Sequence, residues 1–206
     1  MPVSRRLFLA LPLAAGGLAH RAAAAAGGDP AVATVSQFYA GLLAVMKAAK
    51  TLSFDQRFAR LSPLIQHAFD LGLMTRIAVG PTWPRLTPDQ QQRITQAFIR
   101  FTVSEYAGRF DGYSGEHFVV EPAAQPNPAG VIVQSRLVKS DGDSVTLNYL
   151  LHHTASGEWQ IIDVYLKGTI SELATRRSEF SGVLQQSGPD GLVQVLDQRS
   201  ASLRTG

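Results

Sequence analysis

Two carboxylates stand where they could do acid–base chemistry. Asp163 lies inside the apolar run "WQIIDVYL". A carboxylate buried there either finds a partner or holds its proton to higher pH. Asp163 is therefore a candidate general base, or else the acidic half of a structural ion pair with Arg177, two turns into the helix that follows. Asp70 follows Phe69 and opens an apolar helical pattern, so it is either a second candidate base or a helix cap. The neighbouring Arg176 reads as a solvated residue. Other chemistries find little support. The chain has no cysteine, which excludes disulfides, thiolate ligands and a cysteine nucleophile. His152 and His153 are adjacent in a strand pattern and must point to opposite faces, so they do not share a metal ion without distortion. His67 and His117 have no partner visible in the sequence. Gly-rich phosphate loops, Gly-x-Ser-x-Gly turns and His-Glu-x-x-His helices are all missing. No metal site and no cofactor is expected.

The elements that position these residues follow from periodicity and caps. Asp29-Pro30 suits the start of a helix carrying Val35, Phe38, Tyr39, Leu42 and Met46. Ser53 and Gln56 form a capping box for a short helix through Leu61, and Ser62-Pro63 reads as the start of another. Gly80 and Pro81 end the segment after Asp70. Thr87, Pro88 and Gln90 open the clearest helix, with an apolar stripe of Ile94, Ala97, Phe98, Phe101 and Tyr106. The period then changes from helical to alternating. "EHFVVEPA", "VIVQSRLVK", "SVTLNYLLHH" and "EWQIIDVYL" are four expected strands, the middle two joined by a hairpin at Ser140-Asp141-Gly142-Asp143. The last is apolar on both faces and is expected at the centre of the sheet. Thr169 and Glu172 read as another capping box, and Gly188-Pro189 separates two C-terminal helices. Helices, four antiparallel strands and helices again make an α+β fold. A curved sheet with helices packed on it could enclose an apolar cavity.

Of 206 residues, 45% are apolar and 17% charged, a globular composition. The N-terminus "MPVSRRLFLALPLAAGGLAHRAAAAAGG" has two arginines, a thirteen-residue apolar run and Ala-x-Ala sites, the layout of an export signal over residues 1–26. "SRRLFL" also suits the twin-arginine route. A single domain over 27–206 is expected after it. The chain carries 19 basic and 16 acidic residues. Removing Arg5, Arg6 and Arg21 with the signal leaves 16 of each, so the high isoelectric point belongs to the signal. Nucleic-acid binding through a basic surface loses its main support.

Three stretches resemble a known family. "HAFDLGLMTRIAVGPTW", "ITQAFIRFTVSEYAGRFDGY" and "WQIIDVYLKGTISELATRRSEF" followed by "GPDGLVQVL" are similar, in order, to the periplasmic phospholipid carriers of the Mla (toluene-tolerance) type. The family commonly has Tyr-Arg-Ser-Gln-Phe where this chain has Arg176-Arg177-Ser178-Glu179-Phe180, and Gly-Val-Ser where it has Gly168-Thr169-Ile170-Ser171. In those stretches it looks closer to the hopanoid-associated, HpnM-type branch. The resemblance implies a soluble, non-catalytic periplasmic shuttle for phospholipid or hopanoid that docks transiently with inner- and outer-membrane complexes. Strand parity and helical stripe select Trp83, Phe98, Phe101, Leu147, Tyr149, Leu151, Ile161 and Tyr165 as cavity candidates. The alternatives are a small periplasmic enzyme on a cone-shaped α+β fold, with Asp163 or Asp70 as base, and an adaptor that binds only proteins.

Overall fold

Residues 28–205 are described by a computed structural model. The export signal expected over residues 1–26 lies outside them. Four helices begin at polar side chains that satisfy otherwise unpaired N–H groups of the first turn. Asp29 accepts from Ala31 N at 3.0 Å and Pro30 fills the first position of α1 (Pro30–Ala48). Ser53 and Gln56 make both bonds of a capping box at α2 (Phe54–Ala68), as Thr87 and Gln90 do at α4 (Pro88–Arg109). Asp70 opens α3 (Leu71–Val79) by accepting from Leu73 N at 2.9 Å. Short 3₁₀ turns, Ala49–Thr51 and Gly80–Arg85, join α1 to α2 and α3 to α4.

Two helical expectations need correction. Pro63 does not start a new helix but lies inside α2. It removes one internal hydrogen bond, and the burial of Leu61 and Ile65 on either side holds the helix together across it. The last helix is capped by Ser171, not Thr169: the Ser171 hydroxyl accepts from Ala174 N at 2.9 Å. That helix, α5 (Glu172–Thr205), is broken at Gly188, where φ is 65° and ψ −170°, so 172–187 and 189–205 are separate helical pieces as Gly188-Pro189 suggested.

Seven strands form where four were expected, with β2 and β7 falling outside the expected segments: β1 (His117–Val120), β2 (Gln125–Asn127), β3 (Gly130–Val133), β4 (Ser135–Val138), β5 (Ser144–His153), β6 (Trp159–Leu166) and β7 (Ile170–Ser171). All named pairs are antiparallel. β3 and β4 are two halves of "VIVQSRLVK" and keep one register along β5, with Val133 opposite Tyr149 and Arg136 opposite Thr146. Side chains interrupt the ladder between them. Ser135 N donates to Asn148 Oδ1 at 3.3 Å and the Ser135 hydroxyl donates to the Leu147 carbonyl. The Tyr39 hydroxyl lies 2.7 Å from Ser135 Oγ, and burial pushes its pKa up to about 12.

β5, not β6, is the central strand: it carries β3 and β4 on one edge and β6 on the other. The far edge of β6 is met by two-residue β7 and by a parallel bridge to Phe69, with Asp70 N donating to the Ile161 carbonyl. β6 also holds a bulge. Leu151 is opposite Ile161 but Leu150 is opposite Asp163, so Ile162 is an extra residue. Past it the parity reverses. Val164 and Leu166 share a face with their partners Tyr149 and Leu147, and Tyr165 goes to the other face with Asn148. The core fills the space between this sheet and the helices, with Phe38 and Leu42 from α1, Ile65 from α2, Phe98 from α4, Leu151 and Ile161 from the sheet, and Phe180 and Leu196 from α5.

Candidate functional site

Helix α4 runs one row of side chains along a cavity at three- and four-residue steps: Phe98, Thr102, Glu105 with Tyr106, and Arg109. Leu147 and Tyr149 of β5 and Val164 and Leu166 of β6 form the facing wall. Phe69 and Met74 close it from the α2–α3 junction, Phe110 from the end of α4, and Glu172 and Arg176 from the first turns of α5. The cavity is partly open to solvent and its volume is about 90 Å³.

The walls are aromatic and apolar. Phe69 and Tyr106 meet edge to face at 5.9 Å, and Phe110 stacks on Tyr106 at 5.6 Å. Behind them Phe38 touches both Phe69 and Tyr106, at 5.1 and 5.5 Å. Burial raises the pKa of Tyr106 and of Tyr149 above the ordinary phenol value, so both stay neutral and act as apolar bodies with a hydroxyl, not as bases.

Charge is confined to one cluster. Arg176 Nη2 lies 2.5 Å from Glu105 Oε2, across from α5 to α4, and 3.6 Å from Glu172 one turn earlier. Its guanidinium also sits 5.0 Å from the Phe101 ring centre and 6.0 Å from that of Phe98. Arg109 approaches Glu105 at 3.4 Å. Arg176 is 13% exposed and Glu105 14%, whereas Arg109 is 59% exposed, so the cluster runs from the cavity toward solvent. Its two arginines and two glutamates balance. Among the described residues no group of three His, Asp or Glu could hold a metal ion.

Three of the sequence candidates, Phe98, Leu147 and Tyr149, line this cavity. Phe101 reaches it only by way of Arg176 and is otherwise core. Leu151 and Ile161 are fully buried core residues away from it. Trp83 sits in the 3₁₀ turn before α4, where its carbonyl accepts from Gln91 Nε2, and is not part of the lining. Tyr165 is turned away by the bulge. Val164 and Leu166 take its place, and simple alternation along the strand could not reveal them. Phe69, Thr102 and the charged cluster were also missed. Glu105 and Arg176 are 71 residues apart, and only the packing of α5 on α4 joins them.

The expected ion pair between Asp163 and Arg177 does not form. Asp163 Oδ1 accepts from Leu173 N at 3.0 Å and Oδ2 from the Ser171 hydroxyl at 2.5 Å. The carboxylate thus anchors the first turn of α5, and Arg177, four residues past Leu173, lies about 6 Å further along the axis. Arg177 is exposed and its Nε would lie 3.0 Å from a Cβ on Gly80. The expected roles of the two arginines are reversed, because Arg176, not Arg177, is on the face of α5 turned to α4. Asp70 caps α3 and its other oxygen lies 3.0 Å from His152 Nε2, a pairing with no signal in the sequence.

Comparison with known proteins agrees with this architecture. Residues 36–198 match the family model described as MlaC protein. Over 107 residues the chain is 26% identical to the toluene tolerance protein ttg2D of Pseudomonas putida, covering 52% of this chain and 48% of that protein, so the chain spans about half the length of this curated relative. Its structure is similar, with a TM-score of 0.74 and 28% identity, to a phospholipid-binding protein from Ralstonia solanacearum solved in complex with a phospholipid. The match covers 85% of this chain and 99% of that one. With well over half of its residues matched to the family model, the chain belongs to the MlaC family.

Proposed function

We propose that this protein is a non-catalytic periplasmic carrier that shelters the acyl chains of a phospholipid between its sheet and helices α4 and α5. The observation that carries this reading is a cavity walled by apolar and aromatic side chains, with its charged groups gathered in one neutral cluster. The phospholipid complex of the similar Ralstonia protein supports the choice of cargo. Both candidate bases are engaged as helix caps, which weighs against the enzyme reading. The signal-like N-terminus supports export, and a mature chain with equal numbers of acids and bases suits repeated docking and release at membrane complexes.

The physical need for a carrier is large. At ~0.8 kcal/mol per methylene, exposing thirty of them to water costs roughly 25 kcal/mol, whereas moving them from a bilayer into an apolar cavity is near balance. The cavity of about 90 Å³ is smaller than the roughly 300–1,000 Å³ of ligand pockets. Loading therefore requires the cavity to widen, and parting α4 from α5 is one way that breaks the bond between Glu105 and Arg176. The test is to purify the exported protein from membrane-containing cells and identify bound lipid by native mass spectrometry and extraction. Phospholipid in stoichiometric amount is expected. A hopanoid would correct the cargo, and reproducible absence of lipid would overturn the reading.

A further inference from the structure

One polar side chain on the cavity wall carries a hydroxyl without a partner. Thr102 is 6% exposed and lines the cavity, and among the described residues its hydroxyl is the buried side-chain group left without a hydrogen bond. Other helical threonines return their hydroxyls to the carbonyl four residues back: Thr75 to Leu71 at 2.6 Å, Thr95 to Gln91 at 2.8 Å and Thr175 to Ser171 at 3.0 Å. Thr102 does not do so with Phe98. A buried hydroxyl without a partner is unfavourable, so a ligand that supplies an acceptor gains relative to one that does not.

The position of Thr102 says which part of a lipid it would meet. Along α4, Glu105 lies about 4.5 Å and Arg109 about 10 Å further toward the exposed end of the charged cluster, at 1.5 Å per residue. A lipid inserted tails-first, with its phosphate at Arg109, then brings the segment a few bonds below the phosphate to Thr102. In a diacyl glycerophospholipid that segment carries the two ester carbonyls, which accept hydrogen bonds. In a dialkyl ether lipid the carbonyls are missing.

We infer that Thr102 reads the linkage of the cargo: its hydroxyl donates to an ester carbonyl, and the cavity selects ester-linked over ether-linked phospholipids. This inference rests on the carrier reading. Its test offers lipid-stripped protein an equal mixture of diester and diether phosphatidylethanolamine with matched chains, in vesicles, and quantifies the bound lipids by mass spectrometry. The wild type is expected to favour the diester roughly fivefold, the worth of one neutral hydrogen bond. Thr102→Ser keeps the preference, and Thr102→Val, which has the same shape without the hydroxyl, loads both lipids equally. Equal loading of both by the wild type, or a preference that survives in Thr102→Val, overturns the inference and leaves the carrier intact. Loading of neither lipid by the wild type overturns both.

Discussion

Both oxygens of Asp163 are occupied, by Leu173 N and by the Ser171 hydroxyl, and Ser171 in turn accepts from Ala174 N. Three hydrogen bonds thus tie the end of β6 to the first turn of α5. Removing the carboxylate leaves a buried N–H and a hydroxyl unpaired, so Asp163→Ala is expected to cost about 2 kcal/mol of unfolding free energy. Arg177 is exposed, and Arg177→Ala is expected to stay within about 0.5 kcal/mol of wild type. Urea denaturation of the two variants distinguishes a cap from an ion pair, because an ion pair would make both losses comparable. Burial in an apolar run correctly marked Asp163 as a residue needing partners. Which partners it took was settled by where the first turn of α5 lands.

Helices α4 and α5 meet at the bond between Glu105 and Arg176, which closes one end of the cavity. Breaking a pair this little exposed on one side leaves the other charge under-solvated. Arg176→Gln is therefore expected to destabilise the closed form by about 1–3 kcal/mol and to speed lipid exchange several-fold. Transfer of a fluorescent phospholipid between donor and acceptor vesicles measures the rate. An unchanged rate would mean that separation of α4 and α5 at this point does not limit exchange. The starts of α1, α2, α3 and α4 were legible because a cap acts within three residues, whereas contacts such as Glu105–Arg176 depend on the crossing of two helices distant in sequence.

Three tyrosines, the buried Tyr39 and Tyr149 and the half-buried Tyr106, run through the sheet–helix interface, and burial raises the pKa of each. An unfolded tyrosine ionises near 10, so the folded state keeps its full advantage below that pH and loses it as the pH rises through the folded values. For Tyr39, raised to about 12, the part lost is about 3 kcal/mol. Stability is expected to fall between pH 10 and 12, with phenolate absorbance rising together with unfolding. Ionisation well before unfolding would show these hydroxyls to be accessible. The α+β architecture, the capped helices and the strand segments are written in local patterns: period, caps and turn residues act over a few positions. Three cavity residues, Phe98, Leu147 and Tyr149, were reached in the same way. The rest of the site was decided in three dimensions. One extra residue at Ile162 reversed the parity of β6 and exchanged Tyr165 for Val164 and Leu166, and the packing of α5 on α4 turned Arg176 inward. A bulge and a helix crossing answer to contacts between distant segments, which local periodicity does not encode.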